Sequence, residues 1–226
     1  MTLSISFDIE PDLHTGSYKG VIEGIATILC LLNQYRIKAT FFITCDCLEK
    51  YPEIFKLLKR NGHEVSLHAY RHTRFDELSL KEKGEHLKKA IACFKKYLGF
   101  APLGFRAPQL SIDDETLDLL EKYGFKYDSS YAPLNFMQLL FFPSKFNNWI
   151  KGFFSKADKY RIRKNLVEMT TTSLMLPFVS LNFRIFPNIF NNLFFNLLRI
   201  THRDIIFYAH SWDFIDLPQS RIARIW

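Results

Sequence analysis

The first hydrophobic residues of the chain, Leu3, Ile5 and Phe7, alternate with small polar ones and run into Asp8-Ile9-Glu10-Pro11-Asp12. Spacing of two predicts a strand that delivers carboxylates to a loop. From Val21 to Tyr35 the spacing changes, with Ile25, Ile28, Leu29 and Leu32 at helical intervals. Ala39 to Thr44 then predicts a buried strand, Tyr51 to Asn61 a short helix closed by Gly62, and Val65 to Leu67 a strand leading into His68. Ser79 to Leu98 predicts a long helix, capped by Ser79 with Glu82 three residues on. Gly104 to Pro108 predicts a short strand and turn, Asp113 to Tyr123 a helix with Gly124 after its end, and Phe125 to Ser129 another strand. Ile205 to Ala209 is a last apolar strand and ends in His210-Ser211-Trp212-Asp213. Strands alternate with helices through short connections, the pattern of an α/β fold with parallel strands.

Two regions break that rhythm. Residues 134 to 165 combine weak periodicity with eight aromatic residues, among them Phe141, Phe142, Trp149, Phe153 and Phe154. The second region, Leu174 to Phe178 and Phe183 to Ile200, is rich in Phe. Ile189, Leu193, Phe194, Leu197 and Leu198 stand there at helical spacing, which predicts a helix packed on the core.

Composition narrows the class. The 226 residues suffice for one large domain, and nothing resembling a linker divides them, so residues 1–226 are expected to form a single domain with an insertion at about 134–165. Hydrophobic content of 48% is high, but 23% charged residues and the lack of any apolar run of about 18 residues argue against a membrane-spanning chain. The opening Met-Thr-Leu-Ser-Ile-Ser lacks the basic and apolar regions of a signal peptide, which gives the expectation of a cytoplasmic protein. Cys30, Cys45, Cys47 and Cys93 fit that compartment as reduced, mostly buried thiols. The net charge of +7 is concentrated: Lys145, Lys151, Lys156, Lys159, Arg161, Arg163 and Lys164 face only Asp158 in the insertion. Such a run suits nucleic acid, an anionic membrane or an anionic substrate, and no recognised nucleic-acid module accompanies it.

The candidate chemistry sits at predicted strand ends: Asp8 with Glu10, His68 with His72, Arg106, and His210. One helical turn from His68 to His72 would aim both imidazoles at one point. Alone, so short a pattern is more often one surface histidine and one hydrogen-bonded core histidine. In a parallel barrel, however, these ends converge on one face. Two histidines and a carboxylate there make a catalytic zinc shell with an open position, and a second carboxylate can act as base, parts that suit hydrolysis of an amide or ester.

Taken in order, Ser-Phe-Asp-Ile-Glu, Ala-Thr-Phe-Phe, His-Glu-Val-Ser-Leu-His-Ala-Tyr-Arg-His, Gly-Phe-Arg-Ala-Pro, Tyr-Asp-Ser-Ser and Phe-Tyr-Ala-His-Ser-Trp resemble the polysaccharide deacetylase family, the NodB-like carbohydrate esterases. The likeness covers about residues 3 to 133 and 166 to 215. It implies an irregular (β/α) barrel of about seven parallel strands and removal of N- or O-acyl groups, usually acetyl, from amino sugars. Residue by residue, it implies Asp8 as general base, Glu10, His68 and His72 as ligands of a divalent metal with zinc the leading expectation, and His210 as general acid. Arg106 would fix Asp8, and Asp128 would orient His210 or cap a strand end. Tyr70 and Trp212 would wall a sugar ring or serve the structure, and Pro108 would be a further substrate-binding residue. Glu10 departs from the commoner second Asp, which makes Asp12 a lesser candidate ligand. Asp-Ile-Glu and Leu-His-Ala-Tyr-Arg-His look like the cytoplasmic branch of the family, including an enzyme that deformylates a lipid-linked aminoarabinose. The implied partners are therefore an N-acylated amino sugar or glycolipid and the inner membrane face, with residues 134–165 entering the interface. Two other readings stay open, a non-catalytic sugar-binding or assembly protein on the same barrel, and an allantoinase-like hydrolase of a non-peptide C–N bond; relatives of the latter kind generally lack the full metal triad.

Overall fold

The computed structural model describes residues 2–12, 15–131, 159–173 and 177–216. β1 (Thr2–Ile9) forms parallel ladders with β2 (Thr40–Thr44) on one side and β8 (Asp204–His210) on the other. Beyond β2 follow β3 (Glu64–Ala69), β4 (Gly104–Phe105), β5 (Tyr127–Asp128) and β7 (Val167–Glu168), all parallel, and then β6 (Tyr160–Arg161), antiparallel to β7. The sheet order is β6-β7-β5-β4-β3-β2-β1-β8. The sheet curls until the chain just past β7 meets β8: the Thr172 amide donates to the Ile206 carbonyl at 3.1 Å, and the Ile206 amide donates to Thr172 Oγ1 at 2.8 Å. The result is the expected irregular parallel (β/α) barrel.

Period-two alternation sorts the side chains. Phe7 and Ile9 of β1, Phe41 and Ile43 of β2, and Val65, Leu67 and Ala69 of β3 belong to one core cluster with the helices. Residues between them point to the barrel interior. The interior therefore receives Ser6, Asp8 and Glu10 from the first strand and its end, Ser66 and His68 from β3, and Arg106 just past β4.

The outer layer begins with a single π turn, Gly20–Gly24, leading into α1 (Ile25–Gln34). α2 (Cys45–Lys50), α3 (Pro52–Arg60), α4 (Leu80–Leu98) and α5 (Asp114–Lys122) follow. The predicted Ser79 cap is a full capping box with Glu82. No hydrophobic spacing signals α2, and the predicted Phe183–Ile200 helix is two, α6 (Ser180–Ile185) and α7 (Asn188–Thr201), interrupted at Pro187. Proline has no amide hydrogen and clashes with a preceding helical turn. The insertion lies mostly outside the described residues, but its end forms the β6–β7 hairpin. There Arg163 is engaged by Asp118 at 2.6 Å and Asp114 at 3.1 Å, so it is not a free cation.

Candidate active site

Four strand ends meet at one mouth of the barrel. Asp8 closes its ladder opposite His210, and Glu10 follows two residues on, on the same face. His68 is the penultimate residue of β3, and His72 lies in the irregular turn after it rather than on a helix, which corrects the helical expectation. The turn does what the helix was expected to do: His72 Nε2 lies 2.6 Å and His68 Nε2 3.3 Å from Glu10 Oε2.

The protonation pattern follows from the partners. His68 Nδ1 is 2.8 Å from the Arg106 carbonyl, which can only accept, so Nδ1 carries a hydrogen and Nε2 is the nitrogen turned to Glu10. Burial pushes the Glu10 carboxyl up, but the two imidazoles, with His210 behind them, hold it well below the usual carboxylate range. Burial pulls the His72 imidazole down and Glu10 more than restores it, to above its ordinary value. A proton there must leave before the ring can bind a cation.

Glu10, His68 and His72 offer ligand atoms within 4.8 Å of one another. Glu10 Oε2 is buried and makes no directed hydrogen bond, although two ring nitrogens crowd it. An acceptor faced by imidazole nitrogens in this way suits a cation between them, and two histidines with one carboxylate are a zinc donor set with room for further ligands. The His72 side chain is 30% exposed, which opens the cluster to solvent on that side. The residues fit a divalent metal.

Beside the cluster, Arg106 is fully buried and donates from Nη1 to Asp8 Oδ1 at 2.7 Å. It is itself held by Ser129, through Nε to the carbonyl at 3.0 Å and Nη2 to the hydroxyl at 2.9 Å, and lies over the Phe42 ring. Across the mouth, the His210 ring lies flat on Trp212, with centroids 4.3 Å apart. Asp213 Oδ2 accepts the His210 backbone N–H at 2.8 Å and lies 3.5 Å from the ring Nδ1, while Ser180 and Arg184 of α6 bind Asp213 at 2.6 and 2.7 Å. Burial lowers the His210 imidazole, but Asp213, Glu10 and Asp8 outweigh it and carry it above its usual value.

Several expected roles change. Asp213, not Asp128, stands beside His210. Asp128 is fully buried, accepts from the Ser130 hydroxyl at 2.7 Å and amide at 3.1 Å, and neighbours Glu168. Burial and the Asp128 charge push the Glu168 carboxyl well above its ordinary range, so it holds a proton between the two acids. Asp12 is no ligand: it accepts from the Lys19 and Gly20 amides at 2.7 and 2.8 Å and from the Ser17 hydroxyl, capping the start of the first helical segment. Tyr70 meets His86 edge-on and reaches Glu49 at 3.4 Å, on the helical layer. Pro108 is buried in the turn after β4. Trp212 is also buried, and its indole N–H reaches Glu10 Oε1 at 3.4 Å, so it steadies a ligand rather than standing as an open wall. Asp213 was legible as an acid three residues after His210; Ser180 and Arg184 carried no such signal.

Fold and site define a class: a parallel (β/α) barrel with a carboxylate–imidazole cluster, a buried Asp–Arg pair and an acid-backed histidine at the C-terminal ends of its strands. Within that class the chain belongs to the polysaccharide deacetylase family, which matches residues 2–127. Peptidoglycan deacetylase of Helicobacter pylori is 34% identical over 123 residues, 54% of this chain and 42% of that protein. Peptidoglycan-N-acetylglucosamine deacetylase of Bacillus cereus is 30% identical over 106 residues, 47% of this chain and 35% of that protein. The chain thus spans less than half the length of either relative. Among solved structures, a protein from Mycobacterium smegmatis assigned to the polysaccharide deacetylases superposes with a TM-score of 0.71 at 17% identity, covering 93% of this chain and 77% of that one. Puue allantoinase superposes with a TM-score of 0.67 at 17% identity, covering 99% and 81%. At these identities the structural likeness speaks for the fold.

Proposed function

We propose that the protein hydrolyses an N-acyl group, acetyl or formyl, from an amino sugar. The observation that carries this is the convergence of Glu10, His68 and His72 beside the Asp8–Arg106 pair, with His210 across the mouth. A divalent ion held by Glu10, His68 and His72, with zinc the best match to the donors, supplies Lewis acidity toward an acyl carbonyl and a water. Arg106 fixes one oxygen of Asp8, and the other is left to take the proton of the attacking water. His210, its imidazole raised by Asp213, Glu10 and Asp8, donates to the departing amine, which is too basic to leave unprotonated. Trp212 beneath His210 sets the plane of that ring.

The finer reading is a sugar carried on a polyprenyl phosphate, met in the cytoplasm at the inner membrane face. The basic, aromatic composition of residues 134–165 supports it, although most of that segment lies outside the described residues. Among those described, no helix is long and apolar enough to cross a membrane. The test is acyl release from free and lipid-linked N-acetyl and N-formyl amino sugars, with added zinc or chelator. Release should depend on zinc and fall by orders of magnitude in Asp8→Asn; release unaffected by Asp8→Asn overturns the mechanism.

A further inference from the structure

α7 is apolar on both sides. Its inner side packs Phe194 and Leu198 with Phe178 and Ile205 into a second small core. Its outer side carries Ile189, Leu193, Leu197 and Ile200, spaced by four, four and three residues, which places them in one stripe. These side chains are 71, 65, 45 and 83% exposed. Single exposed leucines are ordinary, but a continuous apolar stripe marks a surface that meets something. Phe183 and Ile185 are also exposed, on α6, the helix whose Arg184 grips Asp213 behind His210.

The charges around the stripe choose the partner. No Asp or Glu occurs between Met169 and Arg203, whereas Arg199 and Arg203 are exposed there. A second copy docked across a two-fold axis would offer neither arginine a carboxylate from this segment. Residues 132–158 of the same chain would serve no better, because their only acids are Asp158 and the net charge is positive. Phosphate head groups over a hydrocarbon boundary match both features, apolar side chains entering and arginines meeting anions. We propose that the outer face of α6 and α7 docks the protein on an anionic lipid bilayer, with the stripe of about 17 Å along α7 lying in the interface.

This surface deepens the reading of a lipid-linked substrate, yet the two can fail separately. The full chain is sedimented with phosphatidylcholine vesicles with and without phosphatidylglycerol. Binding should require phosphatidylglycerol, fall at least tenfold in the triple variant Ile189→Ser/Leu193→Ser/Ile200→Ser, and fall about fivefold in Arg199→Glu. Melting curves should match the parent. Equal binding by parent and variants overturns the proposal. So does a dimer in light scattering that binds no vesicle and that the triple variant turns into a monomer, which assigns the stripe to a second copy. A triple variant that melts well below the parent also overturns it, because the stripe is then covered within the chain. Vesicle binding by a chain that hydrolyses no amino sugar supports the surface and overturns the chemistry above.

Discussion

Glu10 is one methylene longer than an aspartate, and the surrounding residues use that length. Its Oε2 reaches both imidazoles while Oε1 is anchored by the Trp212 indole, 202 residues away in sequence. A flexible ligand held at one oxygen loses less order on binding a cation than one held at neither. Trp212→Phe keeps an aromatic ring under His210 but releases Oε1, and should weaken zinc binding by about tenfold or more in a calorimetric titration. Arg106 tests a different dependence. Its guanidinium is fully buried against Asp8, so Arg106→Met strands a carboxylate in the core and should cost about 3–5 kcal/mol in urea denaturation. Asp8, Glu10 and His68 were legible because strand periodicity puts them on one face at strand ends. The Asp213–Ser180–Arg184 brace was not, because α6 meets the Ser211–Phe214 turn only through tertiary packing, which no local pattern encodes.

Among the elements, the start of the first helical segment and the turn after β8 are fitted to each other. A Cβ on Gly24 would lie 2.1 Å from the Ser211 carbonyl oxygen, and one on Gly20 would lie 2.9 Å from the Trp212 amide nitrogen. These obstacles are backbone, which cannot swing aside. Gly24→Ala should therefore push the turn that carries Trp212 and Asp213, lowering stability by about 1–3 kcal/mol and zinc affinity with it, measured by urea denaturation and calorimetry on the same sample. The α4–α5 contact responds to acid instead. Lys83, 3% exposed, bridges Asp113 and Glu115 at 2.6 Å each. Burial raises the Asp113 carboxyl, but Lys83 and the Thr116 bonds bring it below its ordinary value. A carboxyl with a depressed folded value stabilises above its unfolded value of about 3.9, and that contribution is lost as pH falls through the folded one. Lys83→Met should flatten the fall in melting temperature below about pH 4. Long capped helices such as α4 were legible from spacing and capping chemistry. β4 and β5 fall inside the strands expected at 104–108 and 125–129 but are only two residues each, whereas β6 and β7, also two residues each, are too short for any period and are strands only because neighbours supply their hydrogen bonds.

Across the whole molecule, the candidate metal site joins parts of the chain that the sheet keeps apart. Glu10 follows β1, while His68 and His72 belong to the end of β3 and its turn, with β2 between them in the sheet. An ion bound to all three would tie strand ends across an intervening strand, and the unfolded chain would hold the same three groups only at the cost of closing a loop of about sixty residues. Binding to the folded state alone raises its stability by about 2.7 kcal/mol when free ion is about 100 times its dissociation constant. Zinc should therefore raise the melting temperature in a concentration-dependent way, and a chelator should reverse the shift. His68→Ala and Glu10→Gln should remove the response. The Glu10 variant should also melt lower than the parent without metal, since the imidazoles that favour the Glu10 charge outweigh the cost of its burial. A zinc response surviving in both variants would move the ion elsewhere in the chain, and with it the chemistry proposed for the mouth of the barrel.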